Sequence, residues 1–137
     1  MAEYKTYQAL ITEMNKRTSI ALKNVANIMA NQLRYFVIED FYNQYSPEYY
    51  ERTFQLQDAP TFEMVSDFLA EVFLDTDTMT YKTATGQEVA ELASKGYHGN
   101  ENIFRAGYFW DDFIEWCDAN VPNLLKQELQ KVGFTIK

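Results

Sequence analysis

"FEMVSDFLAEVFL", residues 62–74, decides whether this chain carries a sheet beside its helices. Phe62, Met64, Phe68, Ala70, Val72 and Leu74 follow a period of two if a turn falls near Ser66–Asp67, as a hairpin requires. Phe62, Val65, Leu69, Val72 and Phe73 fit one face of a helix nearly as well. Aromatic and β-branched content favours the hairpin, because such side chains suit a pleated, half-buried surface.

Before this stretch lies a long helical pattern. Apolar residues recur at Leu10, Met14, Ala21, Leu22, Val25, Ile28, Met29, Leu33, Phe36 and Val37, in steps of three and four that place them on one stripe. The spacing predicts a helix from about Tyr4 to Tyr45, stopped by Pro47, since a proline disfavours the helical conformation of the residue before it. Thr18 and Ser19 are better caps than interior residues and mark a possible interruption. After the hairpin, "DTDTMTYKTATG" reads as a polar loop and Gln87–Ser94 as a short helix, with Gly96 suited to its left-handed cap. A final helix is predicted from Tyr108 to Gly133, with Phe109, Phe113, Trp116, Cys117, Leu124, Leu125 and Leu129 on its apolar side. Pro122 should kink or split it. The tail "FTIK" can form a last strand. The expected fold is α+β, in one domain over residues 1–137: a long N-terminal helix packed on a small antiparallel sheet, then a short helix and a C-terminal helix.

Composition agrees with a packed domain. Of 137 residues, 47% are apolar and 16% aromatic, too many for a disordered chain. No apolar run approaches the roughly 20 residues of a membrane span, and "MAEYKTYQAL" lacks the basic and apolar regions of a signal peptide. One cysteine, Cys117, allows no intrachain disulfide and fits a reducing cytosol. The charge is uneven. Residues 1–38 have a net charge of +3, residues 39–77 of −9 and residues 78–137 of −2. A negative middle repels nucleic-acid phosphates.

Reactive chemistry is sparse. A structural zinc site takes four Cys or His ligands, and this chain has one of each. The Asp pairs at 75–77 and 111–112 lack calcium-loop spacing, and no glycine spacing matches a phosphate loop. Cys117 lies in an amphipathic helix, where cysteine acts as a small apolar side chain. No catalytic residue, metal or cofactor is expected. More informative is "FYNQYSPEYYERT", residues 41–53. Tyr42, Tyr45, Tyr49 and Tyr50 crowd a helix stop, either as a lid on the helix end or as a contact surface for another subunit. In "SKGYHGN", Gly96 and Gly99 permit positive φ, so His98 can pin the loop through local hydrogen bonds or, with its loop, serve as a contact surface for another subunit.

Three stretches in order, "YNQYSPEYYERTFQL", "ASKGYHG" and "GYFWDDFIEWCDANVPNLLKQELQKVGF", resemble small structural proteins of tailed bacteriophages, the head–tail joining and tail-completion group. The resemblance covers residues 20–137; residues 1–19 are an N-terminal extension or the start of the long helix. Tyr45, Pro47, Tyr50, Arg52, Gly96, His98, Gly99 and Trp110 occupy its motif positions. The resemblance implies a non-enzymatic ring subunit at the virion neck, hexameric or dodecameric, made in the host cytoplasm. Its partners would be copies of itself, a portal or head-closure connector, and a tail-tube or tail-terminator protein. DNA would pass through without specific binding. Acidic residues of the middle segment, Glu63, Asp67, Glu71, Asp75 and Asp77, are then candidates to face the channel. A rival of another class is an acidic inhibitor that mimics DNA and binds a basic enzyme.

Overall fold

The computed structural model describes residues 6–42, 55–79, 85–94 and 108–136. Within these it has the predicted α+β layout. Helix α1 spans Tyr7–Asp40, a short turn of helix α2 Gln55–Asp58, strands β1 and β2 Pro60–Ser66 and Leu69–Leu74, helix α3 Gly86–Ser94, and helix α4 Phe109–Lys131. A 3-10 turn, Thr76–Thr78, comes soon after β2.

Helix α1 begins where a cap allows. Thr6 is extended, and its Oγ1 accepts the Ala9 N–H at 3.0 Å, which satisfies one of the free donors of the first turn. The expected interruption at Thr18 does not occur. Its hydroxyl donates to the Met14 carbonyl at 2.8 Å, as Thr12 does to Gln8 at 2.9 Å, so each polar group is satisfied along its own helix. The helix also ends earlier than Tyr45. Phe41 caps it, donating its N–H to Val37 at 3.1 Å. The Phe41 and Tyr42 rings meet edge to face, with centroids 5.1 Å apart. Tyr42 is buried, and its hydroxyl accepts the Gln57 N–H at 3.3 Å. The helix thus stops ahead of Pro47, which lies outside the described residues, and both rings join the core at its end.

Residues 62–74 form the hairpin. Phe62 pairs with Val72 and Met64 with Ala70 on one face, Thr61 with Phe73 and Glu63 with Glu71 on the other. The turn is at Asp67–Phe68, one residue later than the pattern suggests. An irregularity between Met64 and Ser66 shifts the register, because a bulge places an extra residue on one strand. Phe68 consequently leaves the inner row and stands 62% exposed at the tip, its N–H bonded to Ser66 Oγ at 3.2 Å. A two-stranded hairpin is marginal alone; here Val72 and Leu74 pack against the core cluster built around Leu33, Val37, Leu56, Phe109 and Phe113.

Helix α3 starts on a capping box. Thr85 Oγ1 accepts the Glu88 N–H at 3.1 Å, and Glu88 Oε1 reaches back to the Thr85 N–H at 3.4 Å. Gly86 is required at its first position, since a Cβ there would meet the Thr76 carbonyl oxygen. Helix α4 is continuous through Pro122, so of the kink or split expected there the split does not occur. Pro122 and Asp118, whose carbonyl loses its helical donor, are both exposed, so water can take the place of the missing bond. The helix closes as predicted at Gly133, with φ 104°. Phe134 N–H bonds to Leu129 and Gly133 N–H to Gln130, both at 3.1 Å, the double bond of a Schellman cap. Residues 134–136 thus close the helix and form no strand, which corrects the reading of "FTIK".

α1 and α4 run antiparallel. Arg17 Nη1 donates to the Val132 carbonyl at 3.3 Å, and Asn24 Nδ2 to Glu128 Oε2 at 3.3 Å. α4 therefore ends level with Arg17. The preceding ten residues of α1, about 15 Å of helix at 1.5 Å per residue, run on past it.

Candidate functional site

The apolar stripe of α1 outlasts the domain it packs against. Ala21, Val25, Leu33 and Val37 are fully or almost fully buried. Tyr7, Leu10 and Met14 continue the Ala21–Val25 row at helical spacing, yet stand 75%, 38% and 41% exposed. On the solvent side of the same helix, Lys16 and Lys23 are exposed on either side of half-exposed Ile20. Arg34 lies further along and pairs with Asp58 at 3.2 Å.

The hairpin offers a surface of opposite charge. Its inner face meets α1 and α4, so the alternate residues Glu63, Val65, Leu69 and Glu71 point outward, all exposed. Asp67 lies at the tip. Among the five acidic candidates, Glu63, Asp67 and Glu71 share this hairpin. Asp75 and Asp77 lie at its other end, around the 3-10 turn, and Asp75 is half-buried. The structure thus divides them between two places.

Two further groups escape a reading of the sequence. Asp40, at the end of α1, meets Asp112 in the first turn of α4. Burial pushes its carboxyl up from 3.8 to about 7, helped by a hydrogen bond with Asp112 and by the charges of Asp112 and Glu39. Its Oδ2 is enclosed without a hydrogen-bond partner, which favours the neutral acid. Glu128 is the other. It is buried and accepts from Lys131 at 2.9 Å and Asn24 at 3.3 Å. The Lys131 hydrogen bond holds its carboxyl below the usual range, against the opposing effect of burial. Neither pairing has a local signal, since Asp40 and Asp112, like Asn24 and Glu128, meet only through the packing of α1 on α4.

Cys117 borders an apolar cavity of about 260 Å³ between α1, β2 and α4, with Met29, Val72, Phe113 and Leu125. Burial and then the Asp118 charge raise its thiol pKa, so the thiolate is disfavoured. A wider depression, about 700 Å³, lies between Leu74, Gln87, Tyr108 and Asp111. Trp110 borders both, its ring 5.6 Å from that of Phe113. Tyr42, expected at a helix stop, fills the subunit's own core. Tyr45, Pro47, Tyr49, Tyr50, Arg52, Gly96, His98 and Gly99 lie outside the described residues. Among the described residues, no group of three His, Cys, Asp or Glu is placed to hold a metal. No helix there is long and apolar enough to cross a membrane.

The comparisons with known proteins bear on origin. No curated protein and no solved structure matches the chain. The model of one family, YomN, matches residues 6–131, which takes in α1, the hairpin, α3 and all of α4. This chain therefore belongs to the YomN family, a phage-derived family.

Proposed function

We propose that this protein is a non-enzymatic virion component of a tailed phage, a ring subunit at the neck that joins the head connector to the tail. The observation that carries the reading is the bare end of the apolar stripe on α1. Tyr7, Leu10 and Met14 repeat the spacing of buried residues yet stay exposed among the described residues; an exposed apolar face of that kind fits burial by assembly. Phage ancestry supports the setting, and the resemblance to head–tail joining proteins supplies the location. The partners are further copies, a portal or head-closure protein, and a tail-tube or tail-terminator protein. The acidic surface keeps DNA phosphates from sticking to the passage.

The test is a phage lacking this gene. Filled heads and complete tails should accumulate unjoined, and wild-type protein supplied in trans should restore joining. Infectious particles of normal yield without the protein would refute the reading. The rival, a DNA-mimicking inhibitor, draws on the net charge of −9 in residues 39–77. It predicts normal particles and a tight, salt-sensitive complex with a basic enzyme.

A further inference from the structure

The hairpin contains an arrangement that works against its own fold. Glu63 and Glu71 are directly opposite on its outer face and both exposed, and like charges so placed are destabilising. No ion pair is formed by either one among the described residues. Between this pair and Asp67 at the tip lie Val65 and Leu69, 52% and 50% exposed. The face therefore carries an acidic pair and then an apolar pair, with a third acid at the tip.

α1 carries the complement. Lys16, Ile20 and Lys23 fall at i, i+4 and i+7 on one face, giving base, apolar, base over about 10 Å of helix. Ile20 is 43% exposed, and neither lysine makes an ion pair among the described residues. Among the described residues the two faces make no ion pair with each other, which leaves both open to another subunit.

We propose that the outer face of the hairpin docks on the Lys16–Ile20–Lys23 face of α1 in a second copy of this chain. One lysine of one copy lies beside the Glu63–Glu71 pair of the next, Ile20 covers Val65 and Leu69, and the other lysine lies beside Asp67. Because the two faces differ, the contact is head to tail, the type that generates rings when the rotation closes. The inference rests on the ring reading and deepens it. It also takes Glu63, Asp67 and Glu71 out of the channel lining and leaves Asp75 and Asp77 as the acids available there.

The decisive experiment uses two charge-reversed proteins, K16E/K23E and E63K/E71K, in analytical ultracentrifugation at up to about 1 mM protein and low salt. Wild type should self-associate, about tenfold more weakly at high salt because exposed charges are screened. Each variant alone should associate at least about tenfold more weakly than wild type. An equal mixture should recover association, since the unchanged hairpin of one variant then meets the unchanged helix face of the other. Circular dichroism melts serve as the folding control: E63K/E71K keeps the cross-strand repulsion and should match wild type. A wild type that stays monomeric, association indifferent to both reversals, or a mixture that recovers nothing would overturn the proposal. Association that survives both reversals would leave a ring built through another surface. The gene-deletion phage judges the neck role independently of all three outcomes.

Discussion

The two halves of α1 share one pattern and meet different fates. From Ala21 to Val37 the stripe packs against α4, the hairpin and α2; from Tyr7 to Met14 the same stripe is exposed among the described residues. What differs is the length of the partners. α4 stops at Gly133, level with Arg17, through a cap built around one left-handed glycine. A stripe read from sequence thus says which side of a helix is to be buried, but not by which molecule.

The sharpest way to break this comparison is to truncate one side chain in each half. Leu33→Ala should cost about 2–5 kcal/mol in urea unfolding, because it opens a cavity at a fully buried site. Leu10→Ala should change subunit stability by less than about 0.5 kcal/mol while impairing joining of heads to tails. A large stability loss at Leu10 would mean that the overhang is already packed within the subunit.

A smaller effect is expected where α1 meets α4. Asp40 has its pKa raised to about 7 in the folded state from an ordinary value of 3.8. The folded protein therefore holds an extra proton between these limits. The stabilisation linked to that proton is complete below about pH 4 and disappears as the pH rises through about 7. Asp40→Asn should then stabilise the protein near pH 8 by about 1–2 kcal/mol, a value discounted for the solvent that still reaches the residue. The gain should vanish near pH 3.5. Urea titrations of both proteins at the two pH values check this, and a gain independent of pH would contradict the assignment. Glu128 acts in the opposite sense: its lowered pKa contributes stability above about pH 4.5, lost as the pH falls.

Sequence reading reaches furthest where signals are local. The period of two in residues 62–74, the helical stripes and the Gly133 cap each depend on neighbours in the chain. The Thr85–Glu88 capping box is equally local, written in "TGQE", although the segment as a whole reads as a polar loop. The turn of the hairpin lies one residue beyond its expected place because a bulge leaves no mark in an apolar pattern. The early stop of α1 coincides with Phe41 and Tyr42 entering the core, a contact that only the fold provides. The candidate surfaces are legible only as charge, a basic first segment and an acidic middle. Their division into an outer hairpin face and an outer helix face requires the fold. The carboxyl pair Asp40–Asp112 joins residues distant in sequence and has no signal at all.

Oxidative footprinting of the methionines tests assembly through α1 most directly, because Met14 is 41% exposed and Met79 only 6% exposed in the single subunit. In the purified protein Met14 should oxidise rapidly and Met79 slowly; in intact virions both should be protected. Met14 as reactive in the particle as in the free subunit, or particles that lack the protein, would contradict the account.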